Sequence, residues 1–519
     1  MKKRQLLIIV ISLLCTQRSF AGVSDSLNVT DIIERSLQRE EYYNTYAKLP
    51  SMLRFWDKGD FALISSGYSS SKGDYTHPQL LFSRNLLEIK TESVKTLSKK
   101  GLRFFGSVAY TNGNASTGEW NLSYYLPSNG SPFYYMVEQE GTWKTQSYDF
   151  NVAIQKSLSN RLSAGVAFKY LGDLNFRTFD TRNESYTLDM QILPSITMSF
   201  GEKSFATMGL FFNRVKNESA IRNKYQHGTE PERYHLFLNQ GLGTWDNSPS
   251  QMRTIDARYG AVASFRYLKG SKIMDFIYSI YIADEDWLLK SVSTLQERKE
   301  NIARYSYFCQ DFAVRYRENR ESGSWISNLD IKNILGTGAV YKETVGLFQD
   351  NYELFKIKAN LYLAYLRERS LLRRVSANIN FDNTGQNDFN YGHTIDYNNL
   401  EGTLSADLSL GSIERLNFII GGYGSYKMNI SGKHNPMAAS GNFYNTQIAM
   451  PAFAYHTSNF YRVGLVLGTE FNLRESQRVE VNLKGDFIKP VSISNYESSA
   501  SFTLEDNYMN ISVNLVFNF

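Results

Sequence analysis

The stretch Met509–Phe519, with the sequence Met-Asn-Ile-Ser-Val-Asn-Leu-Val-Phe-Asn-Phe, decides the fold class. Its odd-numbered side chains are all apolar, and its even-numbered side chains are polar except at Val516. Successive side chains of a β-strand point to opposite faces, so one face of this strand is wholly apolar. In a closed barrel in lipid, such a strand has a partner on each edge and an apolar solvent for its outer face. The pattern therefore favours a membrane strand over the half-buried terminal strand of a soluble protein.

The apolar face of this strand ends on the aromatic ring of Phe519. A strand of this kind resembles the C-terminal signature of bacterial outer-membrane barrels, which the barrel assembly machinery reads. The residues that carry the resemblance are Ile511, Val513, Leu515, Phe517 and Phe519. The resemblance implies two partners for the chain, namely the lipid bilayer and the outer-membrane barrel assembly machinery.

The same alternation recurs from Phe61 onward. In one segment, six apolar side chains between Phe355 and Tyr365 face away from Lys356, Lys358 and Asn360. Similar segments begin at Leu162, Tyr259, Met274, Phe418, Tyr461 and Val479. Alternation over about ten residues is typical of transmembrane β-strands. A soluble β-sandwich, which is the alternative, has turns roughly every 8–12 residues, and the strands here look longer.

The connections between these segments alternate in length. Short polar turns fall at 98–100, 157–161, 201–203, 269–272, 319–323, 367–370, 411–414 and 474–478. Longer polar stretches cover 112–141, 177–184, 216–252, 284–301, 383–394, 431–457 and 490–506. Short periplasmic turns and long extracellular loops are the expected asymmetry of an outer-membrane barrel. We therefore predict an all-β fold, a single antiparallel transmembrane β-barrel of about 18 strands, with a range of 14–18.

The first 60 residues predict export and a short periplasmic segment. Lys2, Lys3 and Arg4 precede the apolar run 6–14, and 19–21 offers small residues at a cleavage site, so 1–21 is a predicted signal peptide. Residues 22–60 form a predicted N-terminal segment with a short helix, for which a small plug inside the lumen is the alternative. Residues 61–519 form the predicted outer-membrane barrel.

Charge and cysteine content exclude several classes of function. The predicted signal contains four basic residues and no acidic one, so its removal lowers the formal charge from +5 to +1. This near balance gives no reason to expect a nucleic-acid partner. Cys309 is the single cysteine after the signal, so neither an internal disulfide nor a cysteine-based metal site is expected.

Candidate catalytic residues are few and scattered. The six histidines, at positions 77, 227, 235, 393, 434 and 456, all map to predicted loops or strand ends. None has the helical spacing of a metal site, and no nucleophile elbow or phosphate-binding loop is present in a credible context. The acidic run Asp284-Glu285-Asp286 has ligands suited to Ca²⁺, although three consecutive acids more often form a solvated loop. We predict no cofactor, no metal and no enzymatic activity.

The face opposite the apolar stripe carries charge. Charged side chains within a membrane strand must face a water-filled or protein-filled interior. They therefore either form a field that orients a polar solute or pair across strands and fill the barrel. The candidate pore-lining residues are Lys356, Lys358, Arg462, Glu470, Glu480, Lys484 and Asp486.

Three segments resemble an uncharacterised family of Gram-negative outer-membrane β-barrels, a domain of unknown function. They are 133–143 (FYYMVEQEGTW), 148–150 (YDF) and 176–183 (FRTFDTRN), and the upstream 35–43 (RSLQREEYY) also fits. In the family pattern a proline often lies between the Asp and the Arg, where this chain has Thr181. The resemblance implies the fold and a place in the outer membrane, and it implies no reaction.

Three functions fit these observations. The first is a channel, transport or scaffold protein of the outer membrane with an unknown cargo. The second is an outer-membrane enzyme with a site on the extracellular rim that uses carboxylates and loop histidines such as His235 and His434. The third is a surface receptor or adhesin that acts through the loops 216–252 and 431–457, where Tyr225, Tyr234 and Trp245 suit glycan or protein binding. These aromatic residues fit an interfacial girdle equally well.

Overall fold

The computed structural model describes residues 48–56, 59–97, 101–222, 235–243, 245–247, 251–290, 299–320, 322–367, 371–413, 416–436, 443–474, 477–492 and 505–519. The predicted signal peptide, residues Tyr225, His227 and Tyr234, and Asp31, where the predicted short helix of 22–60 begins, lie outside these ranges. The strands and helices given below refer to the described residues.

Eighteen antiparallel strands form one closed barrel. Three short strands, β4 (Tyr134–Met136), β9 (Phe237–Asn239) and β10 (Trp245–Asn247), form a separate small sheet. The barrel strands are β1 (Phe61–Gly73), β2 (Leu81–Leu97), β3 (Leu102–Thr117), β5 (Gly141–Ser157), β6 (Leu162–Arg177), β7 (Arg182–Ser199), β8 (Ser204–Arg222), β11 (Gln251–Lys269), β12 (Lys272–Lys290), β13 (Lys299–Arg320), β14 (Gly323–Lys342), β15 (Leu347–Leu366), β16 (Leu372–Asp388), β17 (His393–Ile413), β18 (Leu416–Asn435), β19 (Asn459–Arg474), β20 (Gln477–Ser492) and β21 (Tyr508–Asn518). The predicted count of about 18 is confirmed.

The last strand closes the barrel. β21 pairs with β20 on one edge and with β1 on the other, in a register that joins Leu63 to Asn518 and Gly73 to Tyr508. The Phe519 amide donates to the Ala62 carbonyl at 2.9 Å, so the pairing reaches the final residue. Closure gives every strand two partners and leaves no edge, which is the condition for a sheet to cross a membrane.

The outer face of the barrel is apolar. On β21, Met509, Ile511, Val513 and Phe517 are exposed, and Val516 and Asn518 on the other parity are buried. The other barrel strands repeat this pattern, for example with Tyr148, Phe150, Val152 and Ile154 on β5. Aromatic pairs such as Trp325–Tyr365, with ring centroids 4.8 Å apart, lie on the outer surface, as expected of an interfacial girdle. The fold is therefore that of an integral outer-membrane barrel.

The strands at the outer end are longer than predicted. The predicted loops 112–141, 216–252, 284–301 and 383–394 begin too early, because β3, β8, β12 and β16 continue to Thr117, Arg222, Lys290 and Asp388. Beyond the lipid band, an outward side chain is free to be polar, so the apolar alternation stops before the hydrogen-bonded strand does. Two outer connections, 74–80 and 343–346, were not predicted.

Helical structure is short and lies inside the barrel. Pro50–Phe55 forms a 3₁₀-helix before β1, and Asn445–Ala449 forms a π-turn that leads into α1 (Met450–Thr457) between β18 and β19. The predicted loop 431–457 thus contains a helix that sequence periodicity did not reveal. None of the described helices is long and apolar enough to span a membrane.

Candidate functional site

All seven candidate pore-lining residues lie on the inner parity of their strands. On β15, Lys356 and Lys358 alternate with the exposed Phe355 and Leu363. On β19, Arg462 and Glu470 alternate with exposed apolar residues from Val463 to Phe471. On β20, the exposed Val481 and Leu483 occupy the parity opposite Glu480, Lys484 and Asp486. Their function as a pore lining stays a prediction.

Most of these charges have partners on the same or a neighbouring strand. Glu470 pairs with Arg478, and Glu480 accepts a hydrogen bond of 2.7 Å from the Asn518 amide. Lys484 lies 3.7 Å from Asp486, which also accepts a bond of 3.0 Å from Asn510. Lys358 is held more loosely, since its ammonium lies 3.8 Å from Asp382 and its side chain is 56% exposed. The inner wall therefore carries charges of both signs that pair locally, and Lys358 is one of its more accessible cations.

Residues Leu49–Trp56, which we call the inner plug, lie within the lumen at the end that holds Phe519. Leu49, Met52 and Leu53 are fully buried against wall residues on β2, β3, β5, β11, β12 and β13, namely Val94, Phe105, Ala153, Val262, Ile277 and Ala313. The segment thus crosses a large part of the lumen.

Polar contacts fix the inner plug to the wall. The Ser51 amide donates to Ser195 Oγ at 2.9 Å, and Ser51 Oγ lies 2.7 Å from Thr197 Oγ1. Arg103 donates to the Leu53 carbonyl at 2.7 Å. A Cβ at Gly165 would lie 2.5 Å from the Ser51 nitrogen, so a glycine is needed where the segment touches β6. These bonds satisfy the backbone of a buried turn that has no sheet partners.

The described parts of three outer loops fold into the lumen and form what we call the outer plug. Its core combines Leu122 and 133–137 from the β3–β5 connection, Leu238 and Leu242 from the β8–β11 connection, and Tyr444, Ile448 and Phe453 from the β18–β19 connection. These side chains pack against inner wall residues of β12, β13, β15 and β17, namely Trp287, Tyr305, Tyr352, Leu354, Ile395 and Tyr397. The small sheet β10–β9–β4 joins the first two loops.

Glu285 on β12 holds the first loop. Its carboxylate accepts hydrogen bonds from Asn129 Nδ2 at 2.7 Å, Ser131 Oγ at 2.8 Å and Trp287 Nε1 at 2.6 Å. Asp284 and Asp286 lie on the opposite face, where they bond to Ser306 and to Arg304. The prediction that this run forms a loop is wrong, because it lies within β12. Strand alternation separates the three carboxylates, so they do not converge on a cation.

A tight turn at Gly241–Leu242 connects the second loop to the far wall. The Leu242 amide donates to Asp388 Oδ2 at 2.8 Å, and the Leu242 carbonyl lies 2.8 Å from His393 Nδ1. Asn351 donates to the Gln240 carbonyl. A Cβ at Gly241 would lie 2.2 Å from Asp388 Oδ2, so a larger residue here would displace the carboxylate that holds the Leu242 amide. The second loop, which connects β8 to β11, thus extends across the lumen and contacts β15, β16 and β17 on the far wall.

Four of the predicted loop histidines come together in pairs inside the outer end. His393 and His434 face each other with 2.8 Å between their Nε2 atoms. Because His393 Nδ1 donates to the Leu242 carbonyl, its Nε2 accepts the proton of His434 Nε2 when both rings are neutral. The rings of His77 and His456 lie 5.2 Å apart, and His456 stacks on Tyr397 at 4.8 Å. The ring of His235 lies 6.5 Å from the ring of Phe237.

Acid is expected to loosen the contact between the outer plug and the β1–β2 connection, where the His77 ring lies 5.2 Å from the ring of His456. Burial lowers the pKa of His77 from 6.5 to about 4, and burial also holds the pKa of His456 well below its ordinary value. A depressed histidine pKa means that the unfolded chain binds protons first, so stability falls as the pH drops from about 6.5 to about 4, by roughly 3 kcal/mol for His77. Urea unfolding of the barrel at pH 7 and pH 4.5 measures this loss.

The matched variant is His77→Asn. In the wild-type protein the Gln79 backbone N–H donates to His77 Nδ1 at 3.3 Å, and the side-chain oxygen of asparagine retains an acceptor for this bond. Its stability should depend less on pH over the same range. An unchanged slope in this variant would show that His77 is not the group that titrates.

The family model of DUF6850, a family of unknown function, matches residues 50–517. The chain belongs to this family. The match includes the segments 133–143, 148–150 and 176–183, and it confirms the resemblance drawn from the sequence. No curated protein is significantly similar to this chain.

Several solved outer-membrane barrels are similar in structure. The outer membrane transporter YddB from Escherichia coli has a TM-score of 0.41 and 7% identity, with 88% of this chain and 80% of that chain covered. The siderophore receptor PiuA from Acinetobacter baumannii has a TM-score of 0.38 and 8% identity, with coverages of 89% and 82%. The toluene transporter TodX from Pseudomonas putida has a TM-score of 0.30 and 10% identity, with 92% of each chain covered. Likenesses of this size say nothing about the cargo of this chain.

Sequence reasoning missed the outer plug. The signal for it was the run Phe133-Tyr-Tyr-Met-Val137, five consecutive large apolar or aromatic residues inside a long predicted extracellular loop. All five are buried. A loop that remained in solvent would not be expected to carry such a run, so it indicates that the loop folds back onto another surface.

Proposed function

We propose that the protein is a gated channel or transporter of the outer membrane for a polar solute. The observation that carries the proposal is a polar, charged inner wall behind two plugs that belong to the same chain. A barrel that served only as a scaffold would have no need of an accessible polar wall such as the one around Lys358. Plugs built from loops and a terminal segment have fewer backbone bonds to the wall than strands have, so they are the parts that can move.

The resting protein is expected to be closed. Purified, folded barrel inserted in a planar bilayer should show no steady open conductance, because both plugs occupy the lumen. A chain cut to begin at residue 59, with the Gly241–Leu242 turn also disrupted, should conduct. Heat-modifiable migration on a gel controls for folding of both samples. Steady conductance of the intact protein would contradict closure, and silence of a folded barrel without either plug would contradict a channel.

We further propose that the chain is exported through a cleaved signal and inserted by the barrel assembly machinery through its last strand. Phe517 and Phe519 are exposed on the outer face at the end of that strand, where a recognition signal is accessible before the barrel closes. Phe519→Ser should reduce the amount of heat-modifiable protein in outer membranes several-fold without changing its synthesis. Equal amounts of folded Phe519→Ser and wild-type protein would refute a role for this residue in assembly.

We propose no enzymatic role. His393, His434 and His77 are each less than a tenth exposed and are held by the outer plug, which does not suit a catalytic group on the extracellular rim. A receptor role through outward loops is also less favoured, since the described parts of the loops at 118–140, 235–247 and 443–458 pack inward. Loss of a hydrolytic activity on changing His434 would reverse the first of these proposals.

A further inference from the structure

A cavity of about 420 Å³ lies against one side of the lumen. Its floor and walls are the inner faces of β14–β18, and its cover is formed by Tyr455 and His456 of α1 together with Phe460. The inner plug packs mainly on the opposite side, against strands from β2 to β13. The volume falls within the range of roughly 300–1,000 Å³ that is typical of small-molecule sites.

The charges around the cavity are balanced. Three carboxylates and three ammonium groups face it, namely Asp330, Asp382 and Glu401 with Lys332, Lys358 and Lys427. A site for an anion or a cation would carry an excess of the opposite sign. The balance therefore favours a ligand without net charge.

Amide side chains lie between these charges. Asn360, Asn380 and Asn399 face the cavity on β15, β16 and β17. Asn360 donates to Asn378 at 2.8 Å, and Asn399 accepts from Asn429 at 3.0 Å, so the amides are already oriented. Amides both donate and accept, carboxylates accept, and ammonium groups donate. A solute with many hydroxyl groups, each of which donates and accepts, fits this mixed set across neighbouring strands about 4.8 Å apart.

The cover of the cavity is connected to the outer plug. Lys427 donates to the carbonyls of His456 and Ser458 at 2.6 Å and 3.0 Å, which holds the end of α1 over the site. The same helix contributes Phe453 to the outer plug. Movement of the β18–β19 connection would therefore expose the cavity and release the plug together, and Tyr455 offers a ring beside the bound solute.

We infer that this cavity is a binding site for a short neutral oligosaccharide on its way through the barrel. The inference rests on the proposed transport function and names its class of solute. Carboxylates and amides with adjacent aromatic rings match the hydroxyls and the apolar faces of sugar rings.

The experiment measures equilibrium binding of radiolabelled maltotriose and cellotriose to the full-length barrel in detergent, with triglycine as the peptide probe. Binding is also measured on a barrel whose residues 236–247 are replaced by a Gly-Ser linker, so that the cavity is accessible. Asp382→Leu and Asn399→Leu should each weaken saccharide binding by about tenfold. The controls are Asp149→Leu and Asn151→Leu, an inner-face pair on β5 that does not line the cavity.

Each outcome has a definite meaning. Saccharide binding that is lost in the cavity variants and kept in the β5 variants supports the inference. Binding of triglycine alone, equal losses in both pairs, or no binding to either barrel overturns it. Conductance by an opened barrel without saccharide binding leaves the channel proposal intact and removes the saccharide site. Saccharide binding without conductance would support the saccharide site and contradict the channel proposal.

Discussion

A barrel in which a short Gly-Ser linker replaces residues 236–247 should show steady ion conductance, which is not expected of the intact protein. This segment contains β9, β10 and the Gly241–Leu242 turn. Its Leu242 amide donates to Asp388, and its Asn239 side-chain amide donates to the Pro132 carbonyl at 2.6 Å, so the segment connects the first loop with the far wall. Its removal also takes the buried Leu238 and Leu242 out of the hydrophobic core.

The remaining loops lose support on both sides when this hairpin is absent. β4 loses its only strand partner, since it pairs with β9 in the described part of the chain. Tyr444 loses the Gly241 carbonyl to which it donates at 3.2 Å. We therefore expect the outer plug to become mobile as a unit, because its three loops share one apolar core.

The measurement is single-channel recording in a planar bilayer, with heat-modifiable migration to show that the barrel is folded. The control replaces residues 493–504, which lie outside the described residues, with the same linker. A comparable conductance in this control would mean that any shortened outer loop opens the barrel. Silence in the 236–247 variant would mean that the other two loops and the inner plug suffice to close it.

The barrel was predictable because the alternation of apolar and polar residues along each transmembrane strand reflects lipid on one face and the lumen on the other. On β21 and β15, consecutive side chains alternate between the lipid-facing and the lumen-facing side of the wall. The short turns mark where the chain reverses. The family resemblance in 133–143 led to the same conclusion, and the family match supports it. Local patterns were sufficient, since pairing of neighbouring strands follows chain order.

The contacts that the two plugs make with the barrel wall were not predictable in the same way. The contact between Leu242 and His393 joins residues 151 positions apart, and the contact between Ser51 and Thr197 joins residues 146 positions apart. No period along the chain encodes such contacts. The pairing of His393 with His434 likewise depends on the register of β17 against β18, which places Ile395 opposite His434. The sequence identified these histidines as members of loops or strand ends, and only the fold shows that they pair.

A second large effect is expected at the ion pair between Arg266 on β11 and Asp275 on β12. Both side chains are 3% exposed, and the guanidinium donates two bonds of 2.6 Å to the two carboxylate oxygens. Asp275→Ala should lower the free energy of unfolding by about 3–5 kcal/mol, because it leaves a buried guanidinium without its counter-charge. Urea unfolding of the barrel in lipid vesicles, followed by tryptophan fluorescence, measures the loss.

The pair also contacts the inner plug. The Arg266 guanidinium lies 5.0 Å from the centre of the Phe55 ring, and Phe55 packs edge-on against Phe205 at 4.5 Å. Asp275→Ala should therefore loosen the inner plug before the barrel unfolds, because the unpaired Arg266 guanidinium is expected to move toward water. Faster proteolysis near Phe55 in the folded variant would show this step.

Two variants separate charge burial from loss of packing. Lys95→Ala breaks a pair with Asp60 whose N–O distance is 2.8 Å and whose side chains are 46% and 35% exposed, and it should cost less than about 1 kcal/mol. The double variant Arg266→Met with Asp275→Leu removes both buried charges and should recover most of the stability that Asp275→Ala loses. If the double variant is as unstable as Asp275→Ala, the loss comes from the two hydrogen bonds and their geometry. Recovery would instead show that the loss of stability comes from the unpaired charge. Proteolysis near Phe55 in the double variant would then show whether the inner plug needs the Arg266 guanidinium.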